Sequence, residues 1–180
     1  MPAEVVGFKD GRIQLMTYEA TGGIASGSFV RNTRRRLKVP VGDFLKGRII
    51  NAMGRPIDGR NIFHANQYYT VNSPYTNPLD RPPIRDRLEF GIKAIDGLNT
   101  IGKGQRIGIF AGSGVGKSTL MGMIAKNVKT DINVIALVGE RGREVLEFVQ
   151  KDLGEEGMKR SVLVVATSDQ PAMLRMKCPL

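Results

Sequence analysis

The 180-residue sequence predicts an α/β fold, a parallel sheet carrying a phosphate loop, preceded by part of a small all-β unit. Three observations predict it. From residue 84 onward, apolar strand segments alternate with helical segments of ten or so residues, the order that a parallel sheet with right-handed crossovers produces. A glycine-rich loop stands between one such strand and the following helix. Before residue 60 the apolar segments are short, alternating and punctuated by turn formers, the pattern of antiparallel strands.

In the first region, Glu4 to Phe8 and Arg12 to Met16 flank Lys9-Asp10-Gly11, and Asp10-Gly11 is the strongest local hairpin signal in the chain. Further strands are expected at Gly27 to Arg31, Leu37 to Val39 and Lys46 to Asn51, with turns at Thr21-Gly22-Gly23, Val41-Gly42-Asp43 and Pro56 to Gly59. Four or five strands are few for a closed barrel, so residues 1–60 read as a partial β-barrel domain. Residues 61–83 turn polar and carry Pro74, Pro78, Pro82 and Pro83, the composition of an extended connector. Residues 84–180 then read as the first part of a nucleotide-binding domain. In it, strands are expected at Gln105 to Phe110, Ile132 to Val138 and Ser161 to Ala166, and helices at Lys117 to Lys129 and Arg143 to Asp152. A further helix opens after Pro171, with Asp169 as its expected cap.

Composition narrows the classes. Apolar residues make up 41% and charged residues 24%, which suits a globular chain and excludes fibres and charged tails. No apolar run approaches the roughly 20 residues of a membrane span. The start Met-Pro-Ala-Glu lacks the features of a secretory signal, and the single Cys178 cannot form an internal disulfide, so a cytosolic location is expected. The net charge of +10 raises the question of a nucleic-acid partner. Residues 1–80 hold eleven basic and six acidic side chains and residues 81–180 sixteen and eleven, so the excess is spread evenly. Only Arg31, Arg34, Arg35, Arg36 and Lys38 cluster, as a solvated loop or as a surface for an anionic partner. With eleven Tyr and Phe and no Trp, base stacking is poorly supplied, and nucleic acid is not expected as a partner.

Residues 111–119 read Ala-Gly-Ser-Gly-Val-Gly-Lys-Ser-Thr, a phosphate-loop pattern with Ala111 at the first glycine position. The setting between a strand and a helix is the one the mechanism needs. Gly112, Ser113, Gly114, Val115 and Gly116 can turn successive N–H groups inward at a helix N-terminus, forming a nest for phosphate oxygens. Lys117 adds a mobile cation for the β and γ phosphates, and the Ser118 hydroxyl can ligate Mg²⁺. No Asn-Lys-x-Asp signature of a guanine reader is present, which favours ATP.

The expected strand Ile132 to Val138 runs into Gly139-Glu140-Arg141-Gly142-Arg143-Glu144, so Glu140 and Arg141 emerge at the carboxyl edge of the sheet, where ligands of open parallel sheets sit. A carboxylate there can polarise the water that attacks a γ-phosphate, and a guanidinium can stabilise transferred charge. It can equally be a first-turn helix residue favoured by the dipole, and the residues alone leave both open. Glu144 and Glu147 read as helix surface. His64 and Cys178 have no companions that would make a metal or thiol site.

These segments together closely resemble the flagellar and type III secretion export ATPases, which are similar to rotary ATPase β subunits. The resemblance rests on QRIGIF at 105–110 leading into AGSGVGKST, GERGREVLEFV at 139–149, VVATSDQPAMLRMK at 164–177, Asp96-Gly97-Leu98, Gly54-Arg55-Pro56-Ile57-Asp58-Gly59 and Val5-Val6-Gly7-Phe8. It implies a RecA-like nucleotide domain after a β-barrel, in a homohexamer with ATP between neighbours. It gives Lys117 and Ser118 the phosphate and magnesium roles, places Thr119 beside the α-phosphate, makes Glu140 the catalytic glutamate and Arg141 a γ-phosphate partner. The family's magnesium aspartate, adenine-stacking aromatic and arginine finger fall later than residue 180, so the chain reads as a fragment with little hydrolysis of its own. The implied activity is ATP hydrolysis that energises protein export, with export substrates, chaperones and stalk or regulator proteins as partners. The implied location is the inner face of the cytoplasmic membrane, in contact with the export gate. A rotary synthase-type or Rho-type ring subunit, and a non-catalytic nucleotide-binding assembly module, are the alternatives.

Overall fold

The computed structural model describes residues 1–61, 64–71, 77–112 and 114–179. Strand β1 (Ala3–Lys9) pairs antiparallel with β2 (Arg12–Thr17) across a two-residue turn in which Asp10 and Gly11 both have positive φ, 50° and 70°. That backbone matches the twist of the flanking strands, and the Asp-Gly pair is suited to it. Strand β3 (Lys38–Val41) pairs antiparallel with β5 (Gln67–Thr70), which lies in the segment expected to be an extended connector.

Strand β4 (Arg48–Asn51) departs from the expected arrangement. It was placed by its sequence in the amino-terminal β unit, yet it runs parallel to β7 (Ser161–Ala166), whose other edge pairs in parallel with β6 (Asn133–Val138). The reason is a local anchor and a buried neighbour. The Arg48 Nε and Nη2 donate to the two oxygens of Asp58 at 2.6 and 3.0 Å, and Nη2 also reaches the Asn61 carbonyl at 3.1 Å. The carboxylate further accepts from the Ile49 and Arg60 amides, so this pair, with side chains only 12% and 7% exposed, folds residues 52–61 back on β4. Ile50 is then free to enter the sheet interior.

Two expected strands do not form. Residues 27–31 carry no ladder bonds; Phe29 and Val30 are exposed, and the nearby amides close local turns instead, Ile24 to Thr21 and Ser28 to Ala25. Residues 105–110 form no ladder among the described residues, where the parallel sheet is β4-β7-β6 alone; Phe110 is exposed.

The helices follow their sequence signals more closely. After α1 (Lys93–Leu98), whose entry turn is tied by the Asp96 carboxylate accepting from the Phe90 and Ile92 amides, comes α2 (Lys117–Asn127). Helix α3 (Gly142–Glu147) continues into a π-helical stretch, Phe148–Leu153, and then α4 (Gly154–Lys159). Pro171 caps α5 (Ala172–Lys177); Asp169 instead lies exposed in the preceding turn, so its expected capping role is not realised.

Strand β7 is buried on both faces, as its unbroken Val-Leu-Val-Val run requires. Leu163 and Val165 pack with Leu137, Ala125, Phe148 and Leu153 beneath α2 and the π-helical stretch. Ala166, on the alternate face, joins Met173, Leu174 and Cys178 of α5, together with Ala52 and Tyr18. The second cluster docks the amino-terminal hairpin: the Tyr18 hydroxyl donates to the Glu4 carboxylate, which also pairs with Lys177 at 3.0 Å. No helix among the described residues is long and apolar enough to cross a membrane.

Candidate nucleotide site

Helix α2 starts with no side-chain cap. Its N-cap, Gly116, has φ 90°, and Gly114 has φ 75°, conformations that side-chain-bearing residues rarely adopt. The first hydrogen bond of the helix runs from the Leu120 amide to the Gly116 carbonyl at 2.9 Å. The amides of Lys117, Ser118 and Thr119 therefore have no acceptor within the helix, which leaves the positive end of its dipole available to an anion. Gly112, Gly114 and Val115 are exposed around it; Ser113 lies outside the described residues.

At the next strand end, Gly139 with φ 74° turns the chain out of β6, and two bonds fix the turn to the neighbouring strand. The Gly139 amide donates to Ala166 at 2.7 Å, and the Ser168 amide donates to the Glu140 carbonyl at 3.0 Å. This support presents the Glu140 side chain to a cavity of about 240 Å³ that Lys117 and Ser118 line from the other side. The expected juxtaposition of loop lysine and strand-end carboxylate is thus present in the fold, produced by α2 and β6 meeting at the carboxyl edge of the sheet.

Burial and a hydrogen bond with Glu144 hold the Glu140 carboxyl above its ordinary range, with the Lys117 cation pulling the other way and the Glu144 charge adding to the rise. Glu144 was read from the sequence as helix surface. It lines the cavity from the first turn of α3, which begins at Gly142 directly after the chain leaves β6 through Gly139 and Glu140. Arg141 behaves differently. It is the N-cap residue of α3, its guanidinium is 67% exposed and lies 3.8 Å from Glu144, and it does not line the cavity. Glu147 pairs with Lys151 at 3.6 Å on the helix exterior, as expected. His64 is exposed, and Cys178 is buried with its thiol donating to the Val164 carbonyl at 3.4 Å, which raises its pKa through desolvation. No group of three metal-ligating side chains occurs among the described residues.

A parallel sheet whose strand-end carboxylate shares a cavity with a lysine and a hydroxyl at a glycine-opened helix defines a P-loop nucleotide-binding unit. Residues 91–180 match the family model described as ATP synthase alpha/beta family, nucleotide-binding domain, and the chain belongs to that family. The flagellum-specific ATP synthase of Bacillus subtilis (strain 168) is 58% identical over 175 residues, which cover 97% of this chain and 40% of that protein. The type 3 secretion system ATPase of Xanthomonas euvesicatoria is 43% identical over 97% of this chain and 40% of its own length. The assembled ATPase EscN from the enteropathogenic E. coli type III secretion system matches with a TM-score of 0.88 at 44% identity, over 98% of this chain and 43% of that one. EscN in complex with its central stalk EscO matches with a TM-score of 0.86 at the same identity, over 98% of this chain and 44% of that one. The chain spans about two fifths of the length of these relatives.

Proposed function

We propose that this chain supplies the phosphate-binding part of an ATPase subunit whose hydrolysis energises protein export through a flagellar or type III secretion apparatus. The observation that carries the reading is the shared cavity of Lys117, Ser118 and Glu140. The N–H groups of Gly112, Gly114, Val115 and Gly116 close around the β-phosphate, with Lys117 neutralising β and γ oxygens and Thr119 beside the α-phosphate. The Ser118 hydroxyl, an oxygen donor at the phosphate end of the cavity, fits Mg²⁺, which supplies charge neutralisation when bound with ATP. Glu140 orients the attacking water and takes its proton; burial that raises its pKa makes it a stronger base. Arg141, one residue on, turns from Glu144 toward the γ-phosphate when nucleotide binds.

In the whole protein, residues 1–60 together with β5 contribute to a β-barrel unit, the remainder of 61–83 connects, and 84–180 begin the RecA-like domain, with β4 lent to the nucleotide sheet. The subunit works as a homohexamer in the cytoplasm, peripheral to the inner membrane face and the export gate, with export substrates, chaperones and a stalk protein as partners. The likeness to assembled EscN and to its stalk complex supports the ring and the stalk. The test is Glu140→Gln in the full-length subunit: ATP affinity within about twofold of the parent and hydrolysis reduced by about 10²-fold or more. Normal turnover in that variant would place the base elsewhere.

A further inference from the structure

Two side chains at the amino edge of the parallel sheet reach the far end of the phosphate-loop helix. Asn133, the first residue of β6, donates from Nδ2 to the Ala125 carbonyl at 2.8 Å. Arg160, immediately before β7, donates from Nη2 to the same carbonyl at 2.7 Å and also to the Lys126 carbonyl. The Thr130 hydroxyl donates to Asn133 Oδ1 at 3.1 Å, which leaves the amide nitrogen turned to the helix. The Asn133 amide meanwhile donates to the Arg160 carbonyl at 2.9 Å, tying the two residues to each other. Both carbonyls belong to the last turn of α2, where acceptors lack partners within the helix and the dipole favours a cation.

A helix end leaves up to four carbonyls open, and solvent or a donor from any nearby element can satisfy them. Here both donors are rooted in the strands whose opposite ends build the site: β6 runs out into Glu140, and β7 leads to Ser168, which holds the Glu140 carbonyl. Helix α2 has eleven residues, a rod of about 16 Å, with Lys117 at its other end. Along its side, Gly122 lies against the Asp152 backbone, where even a Cβ would stand 2.7 Å away, so the middle of the helix is in close contact with the π-helical stretch. The axial position fixed at Ala125 and Lys126 is therefore transmitted to Lys117.

We propose that Asn133 and Arg160 are positioning residues, a clamp that holds α2 in the axial register with β6 and β7 that sets Lys117 opposite Glu140. Its consequence for ATP rests on the nucleotide reading above; its geometry does not. The test is made on the full-length subunit with Arg160→Met, Asn133→Ala, Arg160→Lys and, as control, Ser161→Ala. The control removes the bond from the buried Ser161 hydroxyl to the Gly157 carbonyl at 2.6 Å, destabilising the same strand start without touching an α2 carbonyl. Amide resonances of Gly116 and Lys117 are followed without nucleotide, and ATP affinity by calorimetry. Arg160→Met and Asn133→Ala are expected to move both resonances and to weaken ATP by about tenfold, ~1.4 kcal/mol. Arg160→Lys, which keeps a cationic donor, should recover part of each, and Ser161→Ala should leave both at the parent values. Unmoved resonances in the clamp variants, or the same movement in Ser161→Ala, would reduce the clamp to ordinary stabilisation and overturn the proposal. If Arg160→Met does not fold, Asn133→Ala and Arg160→Lys carry the same comparison. A full-length parent that binds no ATP would remove the nucleotide reading, while the resonances would still decide the clamp.

Discussion

Replacing Asp58 by Asn should destabilise the chain by an amount that depends on pH in a defined way. Asp58 accepts from the Arg48 guanidinium and the Ile49 and Arg60 amides, and its carboxyl is lowered from 3.8 to about 2, chiefly by the Arg48 bond and against the opposing effect of burial. A group whose pKa is depressed by folding contributes its stability above its unfolded pKa and loses it as the pH falls through the folded one. A shift of this size amounts to about 2 kcal/mol at pH 7, about 1 kcal/mol at pH 3 and little below pH 2. With a urea dependence of roughly 2 kcal/mol per molar, Asp58→Asn should lower the unfolding midpoint by about 1 M at pH 7. The difference between parent and variant should shrink through pH 4 to 2. A difference independent of pH would show that the Arg48 pair is not what holds residues 52–61 on β4.

Gly122→Ala should cost about 2 kcal/mol, because its Cβ would meet backbone of the π-helical stretch rather than a movable side-chain tip; thermal unfolding would check this, and an unchanged midpoint would contradict the close approach. Glu144→Gln should lower the Glu140 pKa, since it removes both the repelling charge and the acidic partner that favour the protonated form; a carboxyl ¹³C titration reads it, and an unchanged or higher value would deny the pairing.

The sequence carried the parts of this fold that depend on short-range chemistry. Asp10-Gly11 dictates its turn from two adjacent residues, and Gly116-Lys117 at a loop-to-helix junction sets the N-terminus of α2 without help from elsewhere. The meeting of Lys117 and Glu140 was legible because parallel topology sends both to the same sheet edge. Partners across long stretches of chain were not. Arg48-Ile49-Ile50-Asn51 reads as a strand, but nothing local says that it lies beside Val162 to Val165, more than a hundred residues on. Residues 105–110 have the composition of a strand, but composition does not say which strand they lie beside, and among the described residues they join none. Phe148–Leu153 looks like ordinary helix, since the change to π-helical bonding reflects packing against α2 rather than propensity. Glu144 was hidden for a related reason: an acidic first-turn residue is so common on helix surfaces that its place beside Glu140 in the cavity emerges only with the fold.

The most direct test is a titration of the chain with MgATP, followed at the backbone amides. The phosphate site described above requires the largest changes at Gly114, Gly116 and Lys117, a response at Glu140, and loss of both in Lys117→Ala. Changes confined to the exposed basic segment from Arg31 to Arg36, unaffected by Lys117→Ala, would mean that the triphosphate binds elsewhere and that the cavity between α2 and β6 is not a nucleotide site.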